Sequence, residues 1–172
     1  MTLDRLDALP AADAEAELLA CCGSRRWARE MAARRPFGGV GALLAAADEV
    51  WWSLAPDDWH EAFRAHPRIG ERKAAPAQTA RAAGWSAQEQ SAAASAAAEV
   101  AEALAEGNRA YEARFGHIYI VCATGKTAEE MLAILRARLA NDPETELRVA
   151  AEEQAKITRL RLQKLLTDPD AP

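Results

Sequence analysis

Ile118-Tyr119-Ile120-Val121-Cys122 is the one window of this 172-residue chain with real β character. β-branched and aromatic residues favour strands, but an isolated strand has no partner for its backbone groups. The window is therefore expected to run as extended, buried backbone between helices. Alanine supplies roughly a quarter of the chain while Val, Ile and aromatics are sparse, a balance that favours helix by propensity. Half the residues are hydrophobic and 27% are charged, which gives enough apolar surface to offset chain entropy. The length suits one packed core. The expectation is an all-α, single-domain bundle of about seven to nine helices with one short extended segment. It would span residues 1–172, with short tails at 1–9 and 167–172.

Upstream of the window, Asn108 to Phe115 reads as a helix stopped by Gly116. Before it, Ser86 to about Glu106 is Ala-rich and begins Ser-Ala-Gln-Glu, the spacing of a capping box, so a helix of about 21 residues is expected, closed or kinked at Gly107-Asn108. Arg68 to Gly84 has no sustained apolar stripe and reads as a loop with at most one helical turn. Pro56-Asp57-Asp58 opens a short helix to about Ala65, and His66-Pro67 ends it, because a residue before proline is pushed out of the α region. Val40 to Leu54 carries Leu43, Leu44, Ala47, Val50, Trp51 and Leu54 at three-and-four spacing, an amphipathic helix. Ala14 to Cys22 and Trp27 to Ala33 form a helical hairpin with Gly23 as a stop and Ser24 as an N-cap. Downstream, Thr127-Ala-Glu-Glu caps a helix through Leu139, and a last helix runs from about Pro143 to Leu166.

Twenty-six acids against 21 bases leave a net charge of −5, which offers no field for phosphate backbones or anionic lipid. No nucleic-acid partner is expected. Three cysteines, two of them adjacent at Cys21 and Cys22, make neither an even disulfide framework nor a spaced zinc set, and a reduced, cytoplasmic location fits. The first residues, MTLDRLDALP, lack the basic-then-apolar order of a signal peptide. No apolar run approaches the ~20 residues that span a bilayer, so no membrane partner is expected.

Among three histidines, His66 stands apart, ending a helix beside a proline and a loop. Such an imidazole can exchange a proton with a substrate near working pH; its bland alternative is a cation favoured by the helix C-terminal dipole. His60 and His117 read as blander still. Glu89 follows Ser86 at capping-box spacing, and a helix N-terminus with a hydroxyl also suits a ligand carboxylate. Gln90 adds an amide that can both donate and accept. Arg161 falls between Leu160 and Leu162, where a guanidinium at a core edge could make paired hydrogen bonds, although an Arg there is usually a solvated face. Arg159 points about 200° away at ~100° per residue. Ala-Thr-Gly-Lys-Thr is not a phosphate loop, since Ile120 stands five before Gly125. Neither His-x-x-x-His nor a spaced carboxylate cluster suggests a metal.

His66-Pro67-Arg68-Ile69-Gly70, Ser86-Ala87-Gln88-Glu89-Gln90, Tyr111 through Lys126, and Lys156-Ile157 with Arg161-Leu162 occur in this order over most of the chain. Together they resemble the family of 2-oxo-4-hydroxy-4-carboxy-5-ureidoimidazoline (OHCU) decarboxylases. The resemblance implies an all-helical carbon–carbon lyase without cofactor that converts OHCU to (S)-allantoin in urate degradation. It implies that His66 is the acid/base residue and that Pro67 borders the substrate. Ser86, Glu89 and Gln90 would meet the ring, with Glu89 catalytic. The backbone of Tyr119, Ile120, Val121, Cys122 and Ala123 would supply amides and carbonyls, and Arg161 would bind an anionic or carbonyl oxygen. The partner implied is a small-molecule substrate, and a homodimer stays open. Two alternatives remain at this point: a non-enzymatic helical adaptor, and a relative acting on another ureido or imidazoline acid.

Overall fold

The structure is a computed structural model that describes residues 1–71, 78–91 and 97–167. These residues form nine helices and no strand, as the composition predicts. In chain order they are α1 (Leu3–Ala8), α2 (Ala11–Cys21), α3 (Arg25–Ala33), α4 (Val40–Ser53) and α5 (Pro56–Arg64). Then follow α6 (Ala80–Glu89), α7 (Ala98–Phe115), α8 (Ala128–Arg138) and α9 (Pro143–Thr167). None of the described helices is long and apolar enough to cross a membrane. Contacts divide the chain into two compact units, Met1–Ala62 with the chain from Ala155 on, and Phe63–Gln154.

In the first unit α3 packs against both α2 and α4. Ser24 caps α3 as expected, its Oγ accepting from the Trp27 amide at 3.2 Å, and Trp27 Nε1–H donates to Ala47 O at 3.1 Å. Burial follows the amphipathic spacing, with Leu18, Met31, Leu43, Val50, Leu162 and Leu165 withdrawn from water. Residues 1–9, read from sequence as a tail, hold α1 instead. Thr2 Oγ1 caps it, accepting from the Arg5 amide at 3.2 Å. Leu6 is wholly buried, and Arg35 Nη1 donates to the carbonyls of Leu6 and Leu9 at 2.7 and 2.8 Å. Six residues with one buried leucine are too short to show a helical period. The expected tail at 167–172 lies outside the described residues after Thr167.

In the second unit, two sequence expectations change. The single helix expected from Ser86 to Glu106 is not formed. A helix ends there and another begins later, because Thr79 caps a turn that starts at Ala80 and its Oγ1 accepts from the Ala82 amide at 3.2 Å. Residues 80–84 of the expected loop are therefore helical, burying Ala82, Trp85 and Ser86 along one face at three-and-four spacing. Residues 72–77 of that loop, and 92–96, lie outside the described residues. Second, α7 does not break at Gly107-Asn108. Gly107 faces α8, where an added Cβ would fall 2.5 Å from Leu135 Cδ2, so the glycine makes room for a neighbour rather than ending a helix. The helix stops at Gly116, whose φ of 76° is the left-handed cap expected of it.

Residues 118–123 run as non-helical, largely buried backbone, as their sequence suggests. Their polar groups find partners outside any sheet. Arg138 Nη1 donates to Ile120 O at 2.7 Å and Tyr119 OH donates to Met131 O at 3.0 Å. Arg138 Nε also donates to Glu146 Oε1 at 2.8 Å, and Glu146 accepts from Tyr111 OH and from Asn141 Nδ2. Burial lowers the guanidinium's proton affinity, but the bonds to Glu146 more than offset this and leave it above its ordinary value. Burial, reinforced by the bond to Glu146, pushes Tyr111 well above the ordinary tyrosine range.

Replacing Arg138 by Met leaves the Glu146 carboxylate, fully withdrawn from water, without its cation. A loss of about 3–5 kcal/mol is expected in urea unfolding. Arg68→Ala, which removes an exposed pair with Glu112, should cost no more than about 1 kcal/mol. Equal losses for the two variants would contradict the role given to the buried cluster.

Candidate active site

The candidate site is built within the second unit from four short pieces of chain. His66 follows α5, its amide donating to Phe63 O at 3.0 Å, and Pro67 then removes the next donor. Both are half-buried. His66 Nε2 lies 2.8 Å from Gln154 Oε1, within hydrogen-bond distance. After Pro67, Arg68 forms a two-pronged contact with Glu112, and Asn108 Nδ2 donates to Ile69 O at 2.9 Å. Gly70 has a φ of 85°, open to glycine at no steric cost, and its amide donates to Gln90 Oε1 at 3.1 Å.

Ser86, Glu89 and Gln90 lie at the end of α6, not at a helix start. The capping-box role of Ser86 and Glu89 and the N-terminal anion site are thereby overturned, since Thr79 occupies the cap and Gln90 closes the last turn. Spacings of three and four nevertheless bring Ser86, Glu89 and Gln90 onto one face. Ser86 is buried and its Oγ accepts from Gln78 Nε2 at 2.6 Å. Glu89 lies close enough to Cys122 to raise its thiol pKa, although burial is the larger cause and the Lys126 ammonium opposes both.

Tyr119, Ile120, Val121, Cys122 and Ala123 are all buried. Part of their backbone is already engaged. The Cys122 amide donates to Glu153 Oε2 at 2.7 Å, while Lys126 Nζ donates to Cys122 O at 2.7 Å. Hydrogen bonds therefore connect three of the pieces, His66 to Gln154 and the adjacent Glu153 to Cys122, while Glu89 acts on Cys122 only through its charge. Arg161 belongs to the other unit. It is almost wholly buried there, and its charge lowers the thiol pKa of Cys21 and Cys22 without cancelling the larger effect of burial, which leaves Cys22 at about 11. Arg159 is exposed on a different face of α9 and pairs with Asp48. Among the described residues, no three His, Cys, Asp or Glu side chains come together as metal ligands.

Sequence reasoning missed Gln154 and Glu153. The signal was present, because Ala150, Ala151, Gln154, Ile157 and Arg161 follow three-and-four spacing, so Gln154 is a polar residue on the apolar stripe. It also missed the buried polar cluster around Arg138, whose partners are 8 and 27 residues away in sequence.

Residues 7–163 match the family model described as OHCU decarboxylase. The uric acid degradation bifunctional protein TTL of Arabidopsis thaliana is 42% identical over 156 residues, 90% of this chain and 48% of that protein. The 2-oxo-4-hydroxy-4-carboxy-5-ureidoimidazoline decarboxylase of Amia calva is 42% identical over 62 residues, 36% of this chain and 35% of that protein. The chain thus spans about half or less of the length of these curated relatives. A crystal structure of an OHCU decarboxylase in the presence of (S)-allantoin superposes with a TM-score of 0.76 at 38% identity, over 88% of this chain and 98% of that one. A crystal structure of an (S)-allantoin synthase shares the fold, with a TM-score of 0.70 at 22% identity over 96% of this chain and 54% of that one.

The site geometry also bears on the thiols. Cys21, Cys22 and Cys122 are free and buried, and burial raises each of them. Since the thiolate is the reactive form, the native protein should resist alkylation at neutral pH and yield three reactive thiols on unfolding. A thiol count with and without denaturant checks this; rapid native reaction at Cys122 would show the 118–123 segment to be open.

Proposed function

The chain belongs to the OHCU decarboxylase family, and we propose that it decarboxylates OHCU to (S)-allantoin in urate degradation. The observation that carries this reading is that His66 meets Gln154 while the adjacent Glu153 holds the Cys122 amide, with the charge of Glu89 felt at the Cys122 thiol, all within one compact unit. An imidazole, a carboxylate and a buried irregular backbone within one unit suit a flat, polar heterocycle. A reducing compartment, the cytosol, fits three free thiols.

The reaction asks for positioning and one proton. The bond from the ring carbon to the carboxylate breaks, CO₂ leaves, and the electron pair spreads into the conjugated imine and carbonyl of the ring. The substrate supplies its own electron sink. One proton is then taken up on one face of the ring, which sets the (S) configuration. His66 is the acid/base residue for that proton, exchanging it at Nδ1, the ring nitrogen not held by Gln154, and Glu89, with Ser86 and Gln90 on the same helical face, orients the ring. The backbone of residues 119–123 faces the ring edge. Arg161 is assigned an anionic or carbonyl oxygen of the substrate on the family resemblance.

Freshly oxidised urate, followed by optical rotation with and without the protein, tests the reading directly. Faster appearance of optically active allantoin is expected, and no acceleration would refute it. A faster loss of a different ureido or imidazoline acid would reassign the substrate. His66→Asn should lower turnover by ~10²–10⁴. Glu89→Gln should lower turnover while leaving the melting temperature unchanged, because Glu89 caps no helix. Arg161→Lys should weaken turnover, since an ammonium cannot reproduce a paired guanidinium contact, whereas Arg159→Lys on the exposed face should be nearly silent. Activity is expected to survive exhaustive chelation, and sensitivity to EDTA would overturn the cofactor-free reaction.

A further inference from the structure

We propose that Gln154 is a positioning residue for His66: it fixes the tilt of the imidazole and keeps the proton of the neutral ring on Nε2. The geometry begins with the backbone. The His66 amide is tied to Phe63 O, and Pro67 restricts His66 to extended φ and ψ, so the side-chain torsions are the freedom left to the ring. Gln154 Oε1 stands 2.8 Å from Nε2. A carboxamide oxygen only accepts, so Nε2 must carry hydrogen for this contact to be a bond. The tautomer follows from the partner.

The place of Gln154 in the fold shows that the bond has a cost that packing does not explain. Its side chain is fully withdrawn from water on a stripe of α9 that also buries Ala150, Ala151 and Ile157. A methionine of the same length would fill that space without a polar group to satisfy. The amide is supported by a rigid element, because α9 is one uninterrupted helix, and the preceding residue, Glu153, holds the Cys122 amide at 2.7 Å. Two consecutive residues therefore hold the imidazole and the irregular segment, and the register of α9 sets the separation between them. A neutral amide suits this task. A carboxylate in its place would also accept from Nε2–H, but would draw the ring toward the charged imidazolium. Side chains that orient a metal-bound imidazole through its second nitrogen contribute ~10–100-fold, and an effect of that order is expected for the same hydrogen bond here.

The kinetic part of this inference rests on the decarboxylase reading, so the test has an arm that needs no substrate. Gln154→Met and Gln154→Glu are compared with wild type, folding being checked by circular dichroism and thermal melting. In the first arm, ¹⁵N shifts of the His66 ring are read in the free protein under conditions where the imidazole is neutral. Wild type should show the Nε2–H pattern, Gln154→Glu should retain it, and Gln154→Met should move toward a mixture of tautomers. In the second arm, Gln154→Met should lower kcat ~10–100-fold with KM held within about threefold, whereas Gln154→Glu should recover part of the loss because it keeps an acceptor. Wild-type ring shifts in Gln154→Met would overturn the proposal, as would an unchanged kcat or a loss confined to KM. If wild type failed to decarboxylate OHCU, the functional reading would fall, and the ring shifts alone would still decide whether Gln154 governs the tautomer.

Discussion

The guanidinium of Arg138 is taken out of water and compensated from three directions at once. Glu146 accepts from its Nε and Nη2, Ile120 O from its Nη1, and the ring of Tyr119 lies under its central carbon at 4.9 Å. This cluster answers the difficulty posed by the Ile118–Cys122 window, which is too apolar for the surface and has no neighbouring strand among the described residues. Buried backbone must be paired somewhere. Here side chains do what a ladder would have done: Arg138 takes the Ile120 carbonyl, Glu153 the Cys122 amide and Lys126 the Cys122 carbonyl. Without Arg138 there would be a buried carboxylate and an unpaired carbonyl at the same spot, so the segment and the salt bridge depend on each other.

This arrangement explains why an all-helical unit can present an irregular edge. A paired strand commits its amides and carbonyls along its whole length, whereas side-chain partners can be supplied singly. The partners come from α8, from the turn at Lys126 and from the middle of α9. Close packing of α7 against α8 sets the frame for them, and Gly107 lets Leu135 approach. The Asn108 bond to Ile69 O then ties the loop after His66 to the same helix. Packing thereby fixes polar groups that have little local preference of their own.

Much of the fold was legible because its signals are local. Ser24, Thr127 and Gly116 mark helix ends through contacts with residues three or four away, and each was read correctly from sequence. The helix around Ser86 was misread for a related reason. Ser-Ala-Gln-Glu has the spacing of a capping box, but Thr79 competes one helical stretch earlier, and propensity over the Ala-rich run cannot choose between them. Gly107 was misread as a break because a glycine that ends a helix and one that admits a neighbour look alike until the neighbour is known. For the site, periodicity and capping singled out His66, Glu89 and Arg161 only as ambiguous groups, and it was the order of four motifs that gave them roles. Gln154 was hidden by its own chemistry: a glutamine among Glu152, Glu153 and Lys156 reads as a solvated face until its phase with Ala150 and Ile157 is counted.

That phase points to the expense at which α9 is built. A helix of 25 residues could have buried leucines along its inner stripe, yet Glu146, Gln154, Thr158 and Arg161 all stand there with almost no exposure. Each buried polar group forfeits hydration and needs a partner of correct geometry, so a stripe of them lowers the stability a plain apolar face would reach. Glu146 recovers its share by holding Arg138, a structural return. The bond that Gln154 makes is of another kind, a neutral one to an imidazole, which contributes only about 1 kcal/mol net. The feature that separates the two is therefore what each one touches. Glu146 meets a residue that holds the backbone, whereas Gln154 meets the one histidine that ends a helix at a proline.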